Sequence, residues 1–150
     1  VEEVVLHGRV SREEALSAVR GAGVAVVITS VTDEGSLEDQ GIVTGKLFEP
    51  LGMGTPTLLI APPGSNAEAV IRTAGLGRRF SGSDVHGITG FLNDLMHGLT
   101  PRSLQPDVYS WPRLAREMDL ILRSAAGAGV PAPPVLRPAG DPLEAGFLDG

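Results

Sequence analysis

Gly41, Thr44, Gly45, Lys46 and Glu49 fall within the single stretch "GIVTGKLFE". Their types suit a ligand that carries phosphate and vicinal hydroxyls. The two glycines keep side chains away from the backbone, so N–H groups can approach a ligand. A helix that begins near Thr44 adds free N–H groups and the positive end of its dipole, both favourable to phosphate. Lys46 adds a point charge. A carboxylate such as Glu49 accepts two hydrogen bonds, which suits a pair of hydroxyls. The stretch is not a triphosphate loop of the Walker type. That motif has four residues between its glycines and a Ser or Thr after the lysine. Here three residues separate Gly41 from Gly45 and Leu47 follows Lys46, so the magnesium-holding hydroxyl is missing. Each part also has a plainer reading. Glu49 would offset the helix dipole, Lys46 would be a solvated surface lysine, and the glycines would be a turn and a cap.

The elements that would position these residues alternate along the chain. "VEEVVLHGRV" reads as a strand over residues 4–6 that ends at Gly8. "SREEALSAVRGAG" reads as a helix, with Ser11 as N-cap, Glu14 completing a capping box, and Gly21 or Gly23 at its end. "VAVVITS" is a continuous apolar run, as expected of a strand buried on both faces of a parallel sheet. "VTDEGSLEDQG" reads as a polar loop. The helix from Thr44 to about Met53 is stopped by Gly54 and Pro56, and "TPTLLIA" is the next buried strand. A helix capped by Ser65 or Asn66, a short strand "LGRRF", a helix from Asp84 to about Gly98 with Ser83 as cap, and a last helix "WPRLAREMDLILRSAA" capped by Ser110 follow. The alternation predicts an α/β fold of Rossmann-like type, with four parallel strands in one sheet and helices on both faces. In such sheets ligands bind outside the carboxyl ends of the strands. The turn Gly8, Arg9, Val10, Ser11 and the loop leading to Thr44 both land there.

Composition narrows the chemistry. The chain has 150 residues, 42% of them hydrophobic and 20% charged, enough for one compact domain with a core. Its net charge of -6 argues against nucleic acid or acidic lipid as a partner. There are no cysteines, which rules out disulfides, thiolate metal sites and thiol catalysis and fits a reducing, cytoplasmic setting. No apolar run reaches the roughly 18 residues of a membrane helix. The chain opens at Val1 directly in a strand-like run, without a signal peptide, and is expected to be a fragment of a longer protein. Residues 1–126 read as the folded domain. Residues 127–150, where Pro131, Pro133, Pro134, Pro138 and Pro142 alternate with Ala and Gly, read as a flexible tail.

"GKLFEPLGMGTPTLLIAPPGSNAEAVIRTAGLG" resembles the nucleotide-sugar-binding half of glycosyltransferases with the GT-B fold, in their group-1 (family 4) branch. "VVLHGRV", "SREEALSAV", "VAVVITS", "GLG" and "YSWPRLAREM" follow in the family's order, so the resemblance covers about residues 4–124. It implies a parent enzyme that transfers a sugar from a nucleotide diphosphate sugar to an acceptor hydroxyl, with no further cofactor and no obligatory metal. It implies that Glu49 binds the ribose hydroxyls. Gly45 and Lys46 would meet the diphosphate at the helix start by Thr44, and Arg9, Val10 and Ser11 would line the base. Gly41 stands where many members carry a first glutamate that contacts the sugar; Asp39 is a candidate to replace it. The Arg/Lys pair that clamps the diphosphate, the acceptor site and any catalytic base would lie upstream, the last two in an amino-terminal domain. No catalytic residue is therefore assigned here, and the piece alone is expected to be inactive. Two rivals stay open: a nucleotide-sugar epimerase of the same fold, and a non-catalytic relative that acts as a binding or interaction module.

The remaining polar and aromatic residues are expected to be structural. His7, His86 and His97 lack metal-ligand spacing. Arg78 and Arg79 suit a surface ion pair rather than a phosphate clamp. Trp111 is expected to anchor the core. The tail cannot bury enough apolar area to offset its ordering entropy. Truncation after Gly127 should therefore leave the melting temperature within about a few degrees; a large loss in a thermal melt would show the tail docked.

Overall fold

The computed structural model describes residues 4–32, 36–101 and 107–127. The expected tail therefore lies, but for Gly127, outside the described residues. The element order is α1 (Arg12–Gly21), β1 (Ala25–Ile28), α2 (Leu37–Gly41), a 3-10 turn (Gly45–Leu47) running into α3 (Phe48–Met53), β2 (Thr57–Ile60), α4 (Asn66–Ala74), β3 (Gly77–Phe80), α5 (Val85–Met96) and α6 (Trp111–Ala125). The strands form one parallel sheet in the order β1-β2-β3, with Ala25 opposite Thr57 and Thr57 opposite Gly77. The approach of β3 to β2 explains Gly77: a Cβ there would run into the Thr57 carbonyl.

Local chemistry accounts for most boundaries. Ser11 and Glu14 make the reciprocal capping box of α1. Ser65 caps α4 through the Glu68 amide, and Gly54 and Gly75 end α3 and α4 in the left-handed conformation that glycine adopts without strain. Pro50 sits in the first turn of α3, where a missing N–H costs little. Two caps differ from expectation. α5 is capped by Asp84, whose carboxylate accepts the Gly87 amide, while Ser83 lies beside the Ser81 hydroxyl. Ser110 precedes α6 without a side-chain cap bond. The segment read as a polar loop also contains a short helix, α2, which has its own capping box of Ser36 and Asp39.

The core has two layers. On one face of the sheet Val27, Leu59 and Ala61 pack with Leu47, Leu51, Ala67, Ile71 and Ala74, so α3 and α4 cover that side. On the other, Leu58, Ile60 and Phe80 meet Phe91, with Ile88, Leu92 and Leu95 of α5 around them. Helices thus lie on both faces, as a parallel sheet demands.

Three expectations fail. Residues 4–6 form no strand: they are irregular, and Leu6 is 90% exposed. The sheet has three strands among the described residues, and β1 is an edge. Alternation of hydrophobic residues cannot show whether a neighbouring strand is within reach, and among the described residues none pairs with β1 on that side. One face of β1 is also left uncovered: Val26 and Ile28 are 59% and 60% exposed although "AVVI" reads as a buried strand. Trp111 is likewise no core anchor, being 85% exposed at the start of α6.

The contrast between strands is measurable. Leu59→Ala removes a fully buried side chain from the central strand and should cost roughly 2–5 kcal/mol. Val26→Ala, in the neighbouring strand, should stay within about 0.5 kcal/mol, as at other exposed sites. Denaturant unfolding of the two variants checks this; equal losses would mean that the outer face of β1 is covered.

Candidate functional site

The crossover from β1 to β2 sets the position of Thr44, Gly45, Lys46 and Glu49. The Ala25 amide donates to the Pro56 carbonyl at 2.8 Å, so residue 56 lies at the amino edge of the sheet. α3 ends at Met53, just ahead of it. The helix therefore runs back toward the amino edge, and its 3-10 start lies on the carboxyl side. Residues 45–53 rise about 14 Å as a helix, close to the roughly 13 Å spanned by a four-residue strand. α1 packs beside α3 with the same polarity, and the Thr55 hydroxyl ties their far ends by donating to the Val19 carbonyl at 2.9 Å. This bond fixes the carboxyl ends of the two helices, while the start of α1, with Arg9, Val10 and Ser11, is exposed. Among the described residues no hydrogen bond or ion pair joins that start to residues 44–49.

Lys46 and Glu49 are both exposed, on the 3-10 turn and the first turn of α3. Among the described residues neither charge has an ion-pair or hydrogen-bond partner through its side chain. The two groups can thus meet a ligand without first breaking an internal contact. Leu47 and Leu51 of the same stretch are buried in the core and hold its orientation. The backbone here is less free than the residue types suggest. The Thr44 hydroxyl accepts the Lys46 amide at 3.4 Å, a long bond that covers the N–H expected to meet a phosphate. Gly45 borders open space, since a Cβ there would meet nothing within 4 Å.

Other expected site residues are placed differently. Gly41 closes α2, so it does not flank the start of the 3-10 turn that leads into α3. Asp39, the candidate to stand in for a carboxylate at that point, accepts hydrogen bonds from the Ser36 amide at 3.2 Å and hydroxyl at 2.9 Å. Ser11 is engaged too: its hydroxyl accepts the Glu14 amide at 3.2 Å and its own amide donates to the Glu14 carboxylate at 2.8 Å. These bonds hold the Glu14 carboxyl below its usual pKa range, the backbone contact from Ser11 contributing most. Arg9 and Val10 remain exposed, ahead of the cap and just after Gly8 in its left-handed turn.

Sequence reading did not single out Tyr109. Its ring lies edge-on against Phe48, with centroids 5.3 Å apart, and Val108 beside it is buried in the core, so this turn closes over the start of α3. No local pattern signals a contact between residues so far apart in the chain. Of the two arginines of β3, one forms the expected ion pair and the other stacks on an aromatic ring. Arg79 approaches Glu68 at 3.5 Å, and Arg78 lies over the Phe91 ring, 5.5 Å from its centroid. Among the described residues no three His, Cys, Asp or Glu side chains gather to hold a metal ion. None of the described helices is long and apolar enough to cross a membrane. Cavities of about 450, 390 and 340 Å³ lie beside Val24 and Leu92, along α1 and beside Arg78 and Asp94, away from Lys46 and Glu49.

No family model, no curated protein and no solved structure matches the chain.

The capping role of Ser11 predicts a stability effect that a purely ligand-facing serine would not have. Ser11→Ala should lower unfolding stability by roughly 0.5–2 kcal/mol. Because the Glu14 pKa is depressed in the folded state, its stabilising share is present at neutral pH, above the unfolded pKa. That share disappears as pH falls through the folded value. Glu14→Gln should therefore flatten the acid limb of stability measured between about pH 5 and 2; an unchanged acid limb would show that the box contributes nothing.

Proposed function

We propose that the chain is the donor-binding part of a GT-B glycosyltransferase that uses a nucleotide diphosphate sugar. The observation that carries this reading is the pair Lys46 and Glu49. Both are exposed and without a side-chain partner among the described residues, at a helix start on the carboxyl side of a parallel sheet. A lone surface charge often sits this way. Two opposite charges on adjoining turns that leave each other unpaired suit a ligand with both anionic and hydroxyl groups. In this reading Glu49 accepts hydrogen bonds from the ribose hydroxyls and Lys46 lies against the diphosphate. The Gly45 amide, which the Thr44 hydroxyl leaves uncovered, is the backbone donor nearest the diphosphate. Arg9 and Val10 line the base from the neighbouring helix start, with Ser11 shaping that turn rather than contacting the nucleotide. The order of segments from "SREEALSAV" to "YSWPRLAREM" supports the same reading, while "VVLHGRV" lacks the strand that the resemblance implies. Acceptor binding belongs to an amino-terminal domain of the same parent chain, and the diphosphate charge is stabilised by positive groups and backbone dipoles as the nucleotide leaves.

One observation favours a second reading, a non-catalytic interaction module. α6 exposes Trp111, Met118, Ile121 and Leu122, which share one side of the helix. Apolar residues grouped in this way mark contact surfaces more often than scattered ones do.

Titration of the polypeptide that carries residues 1–150 with uridine, guanosine and adenosine diphosphates separates the two. The donor-binding reading expects saturable binding of one of them. Glu49→Gln should weaken it by about ten- to hundredfold, the equivalent of losing a charge-assisted bond of roughly 1.5–3 kcal/mol. The thermal melt should barely change, because Glu49 is exposed. The 2′-deoxy nucleotide should bind more weakly than the ribonucleotide to the unmodified protein, and the variant should hardly distinguish them. Unchanged affinity in the variant removes Glu49 from the site. Failure of all three nucleotides to bind favours the interaction module.

A further inference from the structure

We draw no further inference here: the strongest candidate, the apolar groove that Val24, Leu92, Leu95 and Met96 line beside the open edge of β1, is an unpartnered face and nothing in the structure shows what covers it.

Discussion

Burial of β2 on both faces is the constraint on which the rest of this fold depends. Thr57, Leu58, Leu59 and Ile60 are all buried, with a strand on either side and helices above and below. A strand in that position has no solvent to satisfy its backbone, so every N–H and C=O must find a neighbouring strand. The parallel partners β1 and β3 supply these bonds, and parallel pairing in turn requires the crossovers that contain α3 and α4. The side chains of β2 then divide the interior. Leu59 points into the layer built by α3 and α4, and Leu58 and Ile60 point into the layer built by α5. Polar residues at its start are accommodated within the same logic: the buried Thr57 hydroxyl donates to the Thr55 carbonyl at 3.2 Å.

The edges of the sheet are managed unequally. β3 is held by Phe80, buried against Phe91, while its arginines use Glu68 and an aromatic face to settle at the margin. β1 has only one covered face. Val27 enters the core while Val26 and Ile28 stay in solvent, because α5 reaches across β2 and β3 and stops short of β1. An uncharged, β-branched edge of this kind lacks the lysines, prolines or bulges with which sheet edges are normally protected. The same incompleteness recurs in α6, whose apolar side faces outward while its polar side is stitched by Arg113 with Glu117 and by Asp119 with Arg123.

The candidate site depends on how neighbouring polar groups are used. Ser11, Ser36, Asp39, Ser65 and Asp84 all lie in helix-start segments, and each is spent on capping. Capping answers a local need, the unsatisfied N–H groups of a first turn. A residue that meets it is less free to bind a ligand. Glu49 stands in a first turn without capping it, and Lys46 stands in the turn before with no acidic partner among the described residues. Among the described residues the fold has not already used either charge, as it has not used Glu13 and Glu38 in the first turns of α1 and α2.

Much of the local structure could be read from the chain alone. The capping box of Ser11 and Glu14, the stops at Gly54 and Gly75 and the strands over Thr57–Ile60 and Gly77–Phe80 follow from side-chain chemistry within a few residues. Short-range physics decides these, so short-range sequence reports them. The pattern also indicated the parallel α/β class and brought Lys46 and Glu49 forward. It did not indicate that residues 4–6 leave the sheet, that Val26 and Ile28 face solvent, or that Trp111 stands outside the core. In each case an apolar side chain is equally compatible with burial and exposure until the surface opposite it is known. The turn of Asp39 back to Ser36 is local, a capping box across three residues, and short-range sequence is enough to signal it. That Tyr109 closes against Phe48 is not signalled in this way. Such outcomes depend on which distant segment packs against a given surface, and only the tertiary structure decides that.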